Sequence, residues 1–459
     1  MLRKIVFFSL LAALPSLSAA AQSPAAPVPP PAPPPTVVPT PVGGMVVTPP
    51  SPARLARLSP LGTAPDWKAL QVFAKTITRV ELESALRDLY TDGTPFPPPW
   101  TIEGGALRIQ TGDPVTPEVS IELNPRAEPP SAGTRFWHRL SELPRLKDDA
   151  KPLADLHIAL DPGHIGGNFA TMEERHLSFQ PNEGIQEGNL SLITANALAE
   201  RLKELGAYVS LVRENHEPVT KQRPVDLQQA ALKLLQESGF PTPVESYNGL
   251  TGDAKLLTVQ WQSEKLFYRV SEIHARGQKV NQTIKPDLVI CLHYNAEAWG
   301  AATSPQYSPK NHFHVLVNGC YSPLELEQAD VRFEMFRRLF SRIHEEEIPL
   351  ADALAGGLRV ATGLPSYVYT TPNARRAGKD EAVYARNLLA NRIYDCPVVY
   401  LEPYVMNHEE TYRRLLAGHF LGRTLIAGRL QRSAVADYVR GVVDGLVTHY
   451  QKFRKPAQP

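Results

Sequence analysis

From about residue 152, short apolar runs alternate with longer segments of helical periodicity, and this alternation limits the possible folds more than any other feature. Five runs have the length and composition of buried strands, namely residues 156–160, 208–212, 287–292, 313–317 and 398–401. Residues 190–205 and 331–343 have apolar positions at helical spacing. Strands that alternate with helices predict an α/β fold with a mostly parallel or mixed sheet flanked by helices. Residues 214–266 are less clearly patterned and are interpreted as an insertion.

Polar residues with metal-binding chemistry follow several of these runs. His164 follows the first run through a Pro-Gly turn, and His293 and Glu402 directly follow two later runs. Glu187 stands where an amphipathic helix begins. In an open α/β sheet, the carboxyl ends of the strands line one crevice where ligands bind. Two histidines and one carboxylate can hold a catalytic zinc ion with a fourth position for water, and a further glutamate beside that water can act as a base.

These residues also have ordinary structural explanations. A histidine in a tight turn is common, and a carboxylate at a helix start, such as Glu187, is favoured by the helix dipole. Glu173, Glu174 and Glu183 compete with Glu187 for the role of ligand.

Other polar residues lie beside these candidates. Asn295 follows His293 by two positions and is a candidate to orient that histidine or to contact a substrate. Burial at the end of an apolar strand is expected to raise the pKa of Glu402 toward that of a working base. His312 and His314 are two apart, so a strand would point both to one face. An exposed pair is expected there, with a second metal site or a substrate contact as the alternatives.

Several blocks of the sequence resemble, in the same order, those of the zinc-dependent N-acetylmuramoyl-L-alanine amidases, the amidase-3 class of cell-wall hydrolases. The matching blocks are Asp161-Pro162-Gly163-His164, Glu187-Gly188-Asn189, residues 209–213, Arg276 with Asn281, Cys291-Leu292-His293-Tyr294-Asn295-Ala296, Asn391-Arg392, and residues 397–402 followed by Asn407. The resemblance spans about residues 155–430, and the joint order of the blocks is more specific than any one of them. Gly188 stands where that family usually has a lysine.

The resemblance implies a zinc-exopeptidase-like amidase fold with one zinc ion bound by His164, Glu187 and His293. It implies that Glu402 is the catalytic carboxylate, and we assign Asn295 to substrate binding. The bond cut would be the amide between the lactyl group of muramic acid and the L-alanine of the stem peptide. Peptidoglycan is therefore the expected partner, and the need for an activator protein is left open.

The start of the chain predicts export. Residues 1–21 are interpreted as a secretory signal peptide, because Arg3 and Lys4 precede an apolar stretch too short to span a bilayer. No later apolar run has membrane-spanning length, so no transmembrane anchor is expected after cleavage. The expected location is outside the cytoplasm, as a secreted protein or in the periplasm or cell envelope.

The remaining sequence divides by composition. Residues 22–60 are dominated by Pro, Ala, Val and Thr and predict a disordered linker. Residues 61–150 predict a small α+β module of unknown role, with helical character over 67–90 and strands over 101–110 and 119–123. Residues 151–450 form the predicted catalytic domain.

Charge and cysteine content argue against other classes of protein. A formal net charge of +1 gives no electrostatic case for binding nucleic acid. The three cysteines Cys291, Cys320 and Cys396 are an odd number, which argues against a complete disulfide framework. A bridge between Cys320 and Cys396 remains open, whereas the long spacings do not favour a zinc–thiolate site.

Two other functions remain as alternatives. A zinc exopeptidase of similar fold would cut another peptide amide, although such enzymes often need more carboxylates to hold two metals. A wall-binding protein that has lost catalysis would keep the fold, but all four key residues are present here. Analysis of the reaction products distinguishes the first alternative from an amidase, and turnover itself tests the second.

Overall fold

A mixed sheet of seven strands forms the centre of the fold. The computed structural model describes residues 57–126, 135–147, 149–181, 183–301 and 304–454. The signal peptide predicted at residues 1–21 lies outside the described residues, as does all but the last part of the predicted linker at 22–60.

The described strands and helices follow one another along the chain. The strands are β1 (Trp100–Glu103), β2 (Ala106–Gln110), β3 (Glu118–Glu122), β4 (His157–Pro162), β5 (His176–Gln180), β6 (Glu183–Gln186), β7 (Tyr208–Leu211), β8 (Leu288–Leu292), β9 (Gly300–Ala301), β10 (Ser304–Pro305), β11 (Phe313–Val317), β12 (Arg375–Arg376), β13 (Val383–Ala385), β14 (Val398–Pro403), β15 (Thr424–Ile426) and β16 (Arg429–Gln431). The α-helices are α1 (Arg79–Ala85), α2 (Glu187–Glu204), α3 (Gln228–Glu237), α4 (Gly252–Leu256), α5 (Val259–Leu266), α6 (Glu272–Gln278), α7 (Pro323–Leu326), α8 (Ala329–Phe340), α9 (His344–Thr362), α10 (Leu389–Ile393), α11 (Glu409–Leu416) and α12 (Ala434–Arg454).

The central sheet has the strand order β12-β13-β11-β14-β8-β4-β7. The strands β7, β4, β8 and β14 are parallel to one another, and β14 pairs antiparallel with β11. The predicted α/β fold with a mixed sheet flanked by helices is thereby confirmed.

Both faces of the sheet are buried, because alternate residues of its strands belong to different clusters. On one face, Ile158 and Ile290 pack in the large cluster that also holds apolar residues of α2, α9 and α12. On the other face, Ala159 and Val289 pack with Ile393 of α10. Strands buried on both faces read as continuous apolar runs, which explains why their positions could be recognised in the sequence.

The N-terminal α+β segment packs against α8 through aromatic side chains. The ring of Trp67 lies 5.4 Å from that of Phe333, and the ring of Trp100 lies 5.2 Å from that of Phe336, both edge to face. Burying each large apolar side chain contributes about 1.5–3 kcal/mol. The segment therefore shares its apolar core with the central sheet.

Two predictions for this segment differ in detail from the structure. The helical region expected over 67–90 consists of a 3-10 helix (Trp67–Phe73), α1 and a π-helical turn (Leu86–Tyr90). The single strand expected over 101–110 is the antiparallel hairpin of β1 and β2. The hairpin turns at Gly104 and Gly105, whose φ angles of 58° and 80° lie in the region that favours glycine.

The insertion expected at 214–266 contains helices α3, α4 and α5. Leu235 of α3 and Val259 of α5 pack in one cluster with Ile165, the residue after His164. The insertion is thus folded onto the turn that follows β4, close to the sheet edge where His164 lies.

The three cysteines are buried and free, so no bridge joins Cys320 to Cys396. Among the described helices, none combines the length and apolar character needed to cross a membrane.

Candidate active site

The parallel strands β4, β8 and β14 bring predicted site residues to one edge of the sheet. Carboxyl ends of parallel strands meet at the same edge. His164 follows β4, His293 follows β8, and Glu402 lies near the end of β14. The N–H of His293 donates to the carbonyl of Leu401 at 3.0 Å, which continues the pairing of β8 with β14 up to the site.

The side chains of His164, Glu187 and His293 converge at this edge. Nε2 of His164 lies 3.2 Å from Oε2 of Glu187, and Nδ1 of His293 lies 3.1 Å from Oε1. One ligand atom from each of the three residues lies within 4.8 Å of the others. A carboxylate between two imidazoles is a donor set that zinc and related metals use, so these residues form a candidate metal centre.

Two glycines allow this convergence. A Cβ atom on Gly163 would lie 2.2 Å from Cε1 of His293, so the imidazole rests directly on the backbone of the Pro-Gly turn. A Cβ atom on Gly188 would lie 2.3 Å from the backbone nitrogen of Gly166. Gly188, where the resembling family usually has lysine, is therefore required here by the close approach of α2 to the turn after β4.

The backbone of His164 is strained and held in place by Arg276. His164 has a φ angle of 55°, in the left-handed region, which costs on the order of 1–3 kcal/mol for a residue other than glycine. Arg276 donates to the carbonyls of Pro162 at 2.7 Å and His164 at 2.8 Å. The same guanidinium forms a buried ion pair of 2.8 Å with Asp161, so the strained turn is fixed at both ends.

Glu173 lies behind His164. Its carboxylate accepts hydrogen bonds from the N–H groups of Ile165 and Gly166 at 2.9–3.0 Å and lies 3.5 Å from Nδ1 of His164. Burial disfavours the charged form of Glu173, but His164 and these N–H groups outweigh it and lower the pKa. A carboxylate at Nδ1 directs Nε2 of the same ring toward the metal centre.

The four glutamates that competed for the ligand role occupy different surroundings. Glu174 pairs with Lys255 at 3.0 Å, and Glu183 is exposed on β6. Glu173 contacts Nδ1 of His164, on the side of the ring opposite the metal centre. Glu187 is the one of the four that lies with both histidines.

Arg175 adds a positive charge beside Glu187. Its Nε lies 3.0 Å from Oε2 of Glu187, while the N–H of Tyr294 donates to Oε1 at 3.2 Å. Burial disfavours the charged form of Glu187, but His164, His293 and Arg175 outweigh it and hold its pKa well below the usual range. The carboxylate is therefore ionised, as a metal ligand must be.

Glu402 pairs with a histidine of the neighbouring strand. Nε2 of His314 lies 3.1 Å from Oε2 of Glu402, and their side chains are 3% and 19% exposed. Burial disfavours the charged form of Glu402, but His314, with help from His293, outweighs it and lowers the pKa. The expected rise in the pKa of Glu402 is wrong, because the sequence did not reveal that His314 lies beside this carboxylate.

The pair contacts two further polar side chains, Tyr369 and Arg386. The hydroxyl of Tyr369 lies 3.5 Å from Nε2 of His314 and accepts a hydrogen bond of 3.4 Å from Nη1 of Arg386. Nδ1 of His314 is buried without a hydrogen-bond partner. A buried N–H without an acceptor costs more free energy than a buried lone pair without a donor. Nδ1 is therefore assigned the lone pair, and Nε2 carries the proton that is donated to ionised Glu402.

The expectation of two exposed histidines at 312 and 314 is wrong. His312 and His314 are 6% and 2% exposed, and both rings pack against Tyr367. Nε2 of His312 lies 3.2 Å from Oε1 of Glu297. Burial lowers the pKa of His312 to about 4, with Glu297 opposing the shift. The two histidines share a face, as their spacing predicted, but the face is covered.

A cavity of about 390 Å³ contains the candidate site. Its walls include His164, Glu187, His293 and Glu402, so the three predicted metal ligands and the predicted base line the same cavity. Asn295 also lines the cavity, and its Oδ1 accepts a hydrogen bond of 2.7 Å from the N–H of Ala296. Its assignment to substrate binding stays a prediction.

Sequence reasoning missed three residues that act on this site. Arg175 reaches Glu187 from a turn that carries no strand or helix pattern. His314 was noted but not paired with Glu402, since the pairing depends on strand order. Tyr400 stacks on the imidazole of His293 with ring centres 4.3 Å apart, and its position in an apolar run made it look like core.

Fold and site together define an α/β protein with a candidate metal centre at the carboxyl edge of its parallel strands. No protein-family model and no curated protein matches the chain. The solved structures to which it is similar include several N-acetylmuramoyl-L-alanine amidases.

Three solved structures illustrate this similarity. Apo Ami1 from Mycobacterium abscessus is 14% identical, with 65% of this chain and 99% of that chain covered and a TM-score of 0.34. The CwlD amidase from Clostridioides difficile, in complex with the GerS lipoprotein, is 13% identical over 65% and 98%, with a TM-score of 0.36. The catalytic domain of CwlV from Bacillus (Paenibacillus) polymyxa is 12% identical over 65% and 97%, with a TM-score of 0.33. At this level of similarity, function has to be argued from the geometry of the site.

Proposed function

We propose that this chain is a zinc-dependent hydrolase of the amide bond between N-acetylmuramoyl groups and L-alanine in peptidoglycan. The observation that carries the proposal is the single cavity that His164, Glu187 and His293 share with Glu402. Three protein ligands leave a coordination position for water, which distinguishes catalytic from structural zinc sites. The ordered sequence blocks that resemble amidase-3 enzymes support this choice of substrate.

The residues divide the chemistry between them. A zinc ion held by His164, Glu187 and His293 would supply Lewis acidity toward the scissile carbonyl and toward water. Ionised Glu402 accepts the proton of the attacking water and returns it to the leaving amine of L-alanine. His314 stabilises the ionised form of Glu402, so the carboxylate can accept a proton at neutral pH.

A one-metal amidase fits the residues better than the exopeptidase alternative. Within the described residues, one group of three His, Cys, Asp or Glu side chains is close enough to share an ion. Glu173, the further carboxylate nearest to His164, is occupied by backbone N–H groups. A second metal would need carboxylates that are free to turn toward the cavity.

The alternative of an inactive wall-binding protein is less well supported. Arg175 and His314 hold Glu187 and Glu402 in their ionised forms by direct contact. A protein that only binds has no use for two buried carboxylates whose charge must be stabilised. Their retention favours catalysis.

The proposal includes export of the protein. Residues 1–21 would act as a signal peptide, residues 22–60 as a linker, and the protein would work in the periplasm or cell envelope. Residues 151–450 would form the catalytic domain, with residues 61–150 packed against it.

Product analysis tests the proposed function. The chain from residue 22 onward is purified and incubated with peptidoglycan, with zinc in one sample and with a chelator in another. Mass spectrometry is expected to detect free peptides that begin with L-alanine in the zinc sample alone. Absence of these peptides although stoichiometric zinc is bound would reject amidase activity and favour another peptide amide as substrate.

A further inference from the structure

A second cavity of about 380 Å³ adjoins the candidate active site. It lies between α5 with the π-helical turn that follows (Phe267–Ser271), the start of α8, and the chain that leads into α10. Arg269, Asn373 and Arg386 line both cavities, together with Leu388 and Leu389. The second cavity is therefore separated from the candidate active site by no more than these side chains.

The second cavity contains a lysine without an acidic partner. Lys265 is half-buried, and its Nζ lies 3.7 Å from the centre of the Trp261 ring. Within the described part of the chain, no carboxylate forms an ion pair with it. Burial and the positive charge of Arg269 lower the pKa of Lys265 to about 7, with Glu174 opposing the shift.

The acidic residues of the same cavity, Asp92 and Glu325, accept hydrogen bonds from neighbouring groups. Asp92 accepts a hydrogen bond from the N–H of Thr94 at 2.8 Å. Glu325 accepts hydrogen bonds from Ser322 at 2.8–2.9 Å and from Asn387 at 2.9 Å. The cavity thus presents Lys265 and Arg269 to a ligand, without a nearby carboxylate that neutralises Lys265.

The rest of the wall decides which kind of anion fits. Leu266, Val270, Leu324 and Val331 give the cavity a mostly apolar surface. A small inorganic anion would leave this surface in contact with water. A carboxylate on an aliphatic chain would satisfy both the cations and the apolar wall.

We propose that the second cavity binds a carboxylate of the peptide whose amide is cut at the metal centre, with Lys265 and Arg269 as the anion-binding groups. The inference rests on the proposed function, because a stem peptide attached through L-alanine carries further residues with free carboxylates. The inference thus assigns the second cavity to the peptide side of the cleaved bond. The insertion that contains α5 would then select substrates by the charge of their peptide.

A matched pair of substrates tests the inference. Muramoyl peptides with free carboxylates are compared with the same peptides after amidation of those carboxylates. The native protein should favour the free form by about tenfold or more in kcat/KM, the effect of one charge-assisted hydrogen bond. The variant Lys265→Met should lose this preference mainly through KM, and Lys265→Arg should restore it.

Controls separate charge recognition from general damage. Lys233→Met, which removes an exposed lysine of α3 in the same insertion, should keep the native preference. Thermal unfolding checks that Lys265→Met is folded, and Arg269→Gln serves as an independent second variant. An equal rate for free and amidated peptides in the native protein, or a preference retained in both variants, would overturn the inference.

Direct binding keeps this test separate from that of the proposed function. The released peptide beginning with L-alanine is titrated into the native protein and into Lys265→Met by calorimetry. Binding that depends on both Lys265 and the peptide carboxylates supports the subsite even where no amide is cut. Absence of any such binding rejects the subsite, whereas absence of cleavage alone rejects the proposed function.

Discussion

His314 and Glu402 face each other across two antiparallel strands, with Nε2 of the imidazole 3.1 Å from Oε2 of the carboxylate. The pair lies at the wall of the cavity that holds the candidate metal centre, and the hydroxyl of Tyr369 lies 3.5 Å from the same Nε2 atom. This cross-strand contact gives Glu402 its charge and its orientation. The roles of the two residues can be separated experimentally.

Replacement of Glu402 by glutamine is expected to remove turnover and leave the metal bound. The glutamine amide would keep the shape of the side chain, but it cannot accept a proton from water. The expected loss in kcat is about 10²–10⁴-fold, the usual contribution of a general base. Zinc content by atomic absorption should match that of the native protein, and undiminished turnover would show that another group acts as base.

Replacement of His314 by leucine is expected to move the acidic limb of the activity–pH profile to higher pH. His314 lowers the pKa of Glu402 despite burial of the carboxylate, so its loss raises that pKa and protonates the base at higher pH. Each unit of pKa shift moves the limb by about one pH unit. The other charged groups around Glu402 are His293, Glu187 and Arg386.

Two further variants control this prediction. His314→Gln keeps a donor for Glu402 and should recover part of the native profile. His312→Gln alters a buried histidine that bonds to Glu297 instead, and should leave the limb in place. A limb that is unmoved in His314→Leu would mean that this residue has only a packing role.

Metal occupancy is expected to depend on Glu187 directly and on Glu173 indirectly. Glu187→Ala should abolish stoichiometric zinc binding, because Glu187 lies between both imidazoles. Glu173→Gln should weaken zinc binding by about 10- to 100-fold, since it orients His164 from behind. Glu183→Ala changes an exposed residue of β6 and is the control, which should bind zinc as the native protein does. Full zinc occupancy in Glu187→Ala would contradict the assignment of Glu187 as a ligand.

Stability is expected to depend on a buried ion pair next to β14. Arg338 and Glu347 contact each other with side chains only 1% exposed, and Glu347 also accepts the N–H of Val398 at 2.8 Å. Glu347→Ala leaves an unpaired buried guanidinium and should lower the free energy of unfolding by about 3–5 kcal/mol in urea denaturation. Glu409→Ala, which breaks the exposed pair with Arg413, should cost less than about 1 kcal/mol.

Lys265 is expected to make stability rise with pH in the absence of ligand. Its pKa falls from an ordinary value of 10.5 to about 7 on folding, through burial and Arg269. Between these two pKa values, Lys265 is protonated in the unfolded chain and neutral in the folded protein. The free energy of unfolding therefore rises with pH across this interval. The rise ends near pH 10.5, where the unfolded chain also loses its proton. Below about pH 7 the full cost of the buried charge remains.

The comparison with Lys265→Met isolates this effect. The variant's free energy of unfolding relative to the native protein should change with pH between about 7 and 10, because the native protein alone carries this titrating group. Lys233→Met should show a constant difference across the range. A Lys265→Met difference that is equally flat would indicate that Lys265 titrates alike in the folded and unfolded chains.

Sequence patterns predicted the parts of this site that depend on local chain geometry. His164 and His293 could be recognised because each lies shortly after an apolar run, and parallel strands end at a common edge. The contact between His314 and Glu402 could not, since it requires β14 to lie antiparallel to β11, and other strands and helices separate them along the chain. Local periodicity contains no information about which strands become neighbours.

Electrostatic environment was the second quantity that the sequence did not provide. The pKa of Glu402 was expected to rise through burial, yet His314 reverses the direction. For Lys265 no pKa shift was expected, because nothing in its surrounding sequence distinguishes it from an exposed helical lysine. In both cases the deciding factor is which side chains lie within a few ångströms of the titrating group, and this is a property of tertiary structure.

The position of β14 between β8 and β11 has a consequence for the order in which the candidate site is assembled. Both neighbours precede β14 in the chain, so this strand must insert between segments that are made earlier. A nascent chain that ends before Val398 already contains every candidate metal ligand but not Glu402. Under the proposed function, such an incomplete chain has the candidate ligands without the base, so the last central strand to be made completes the site.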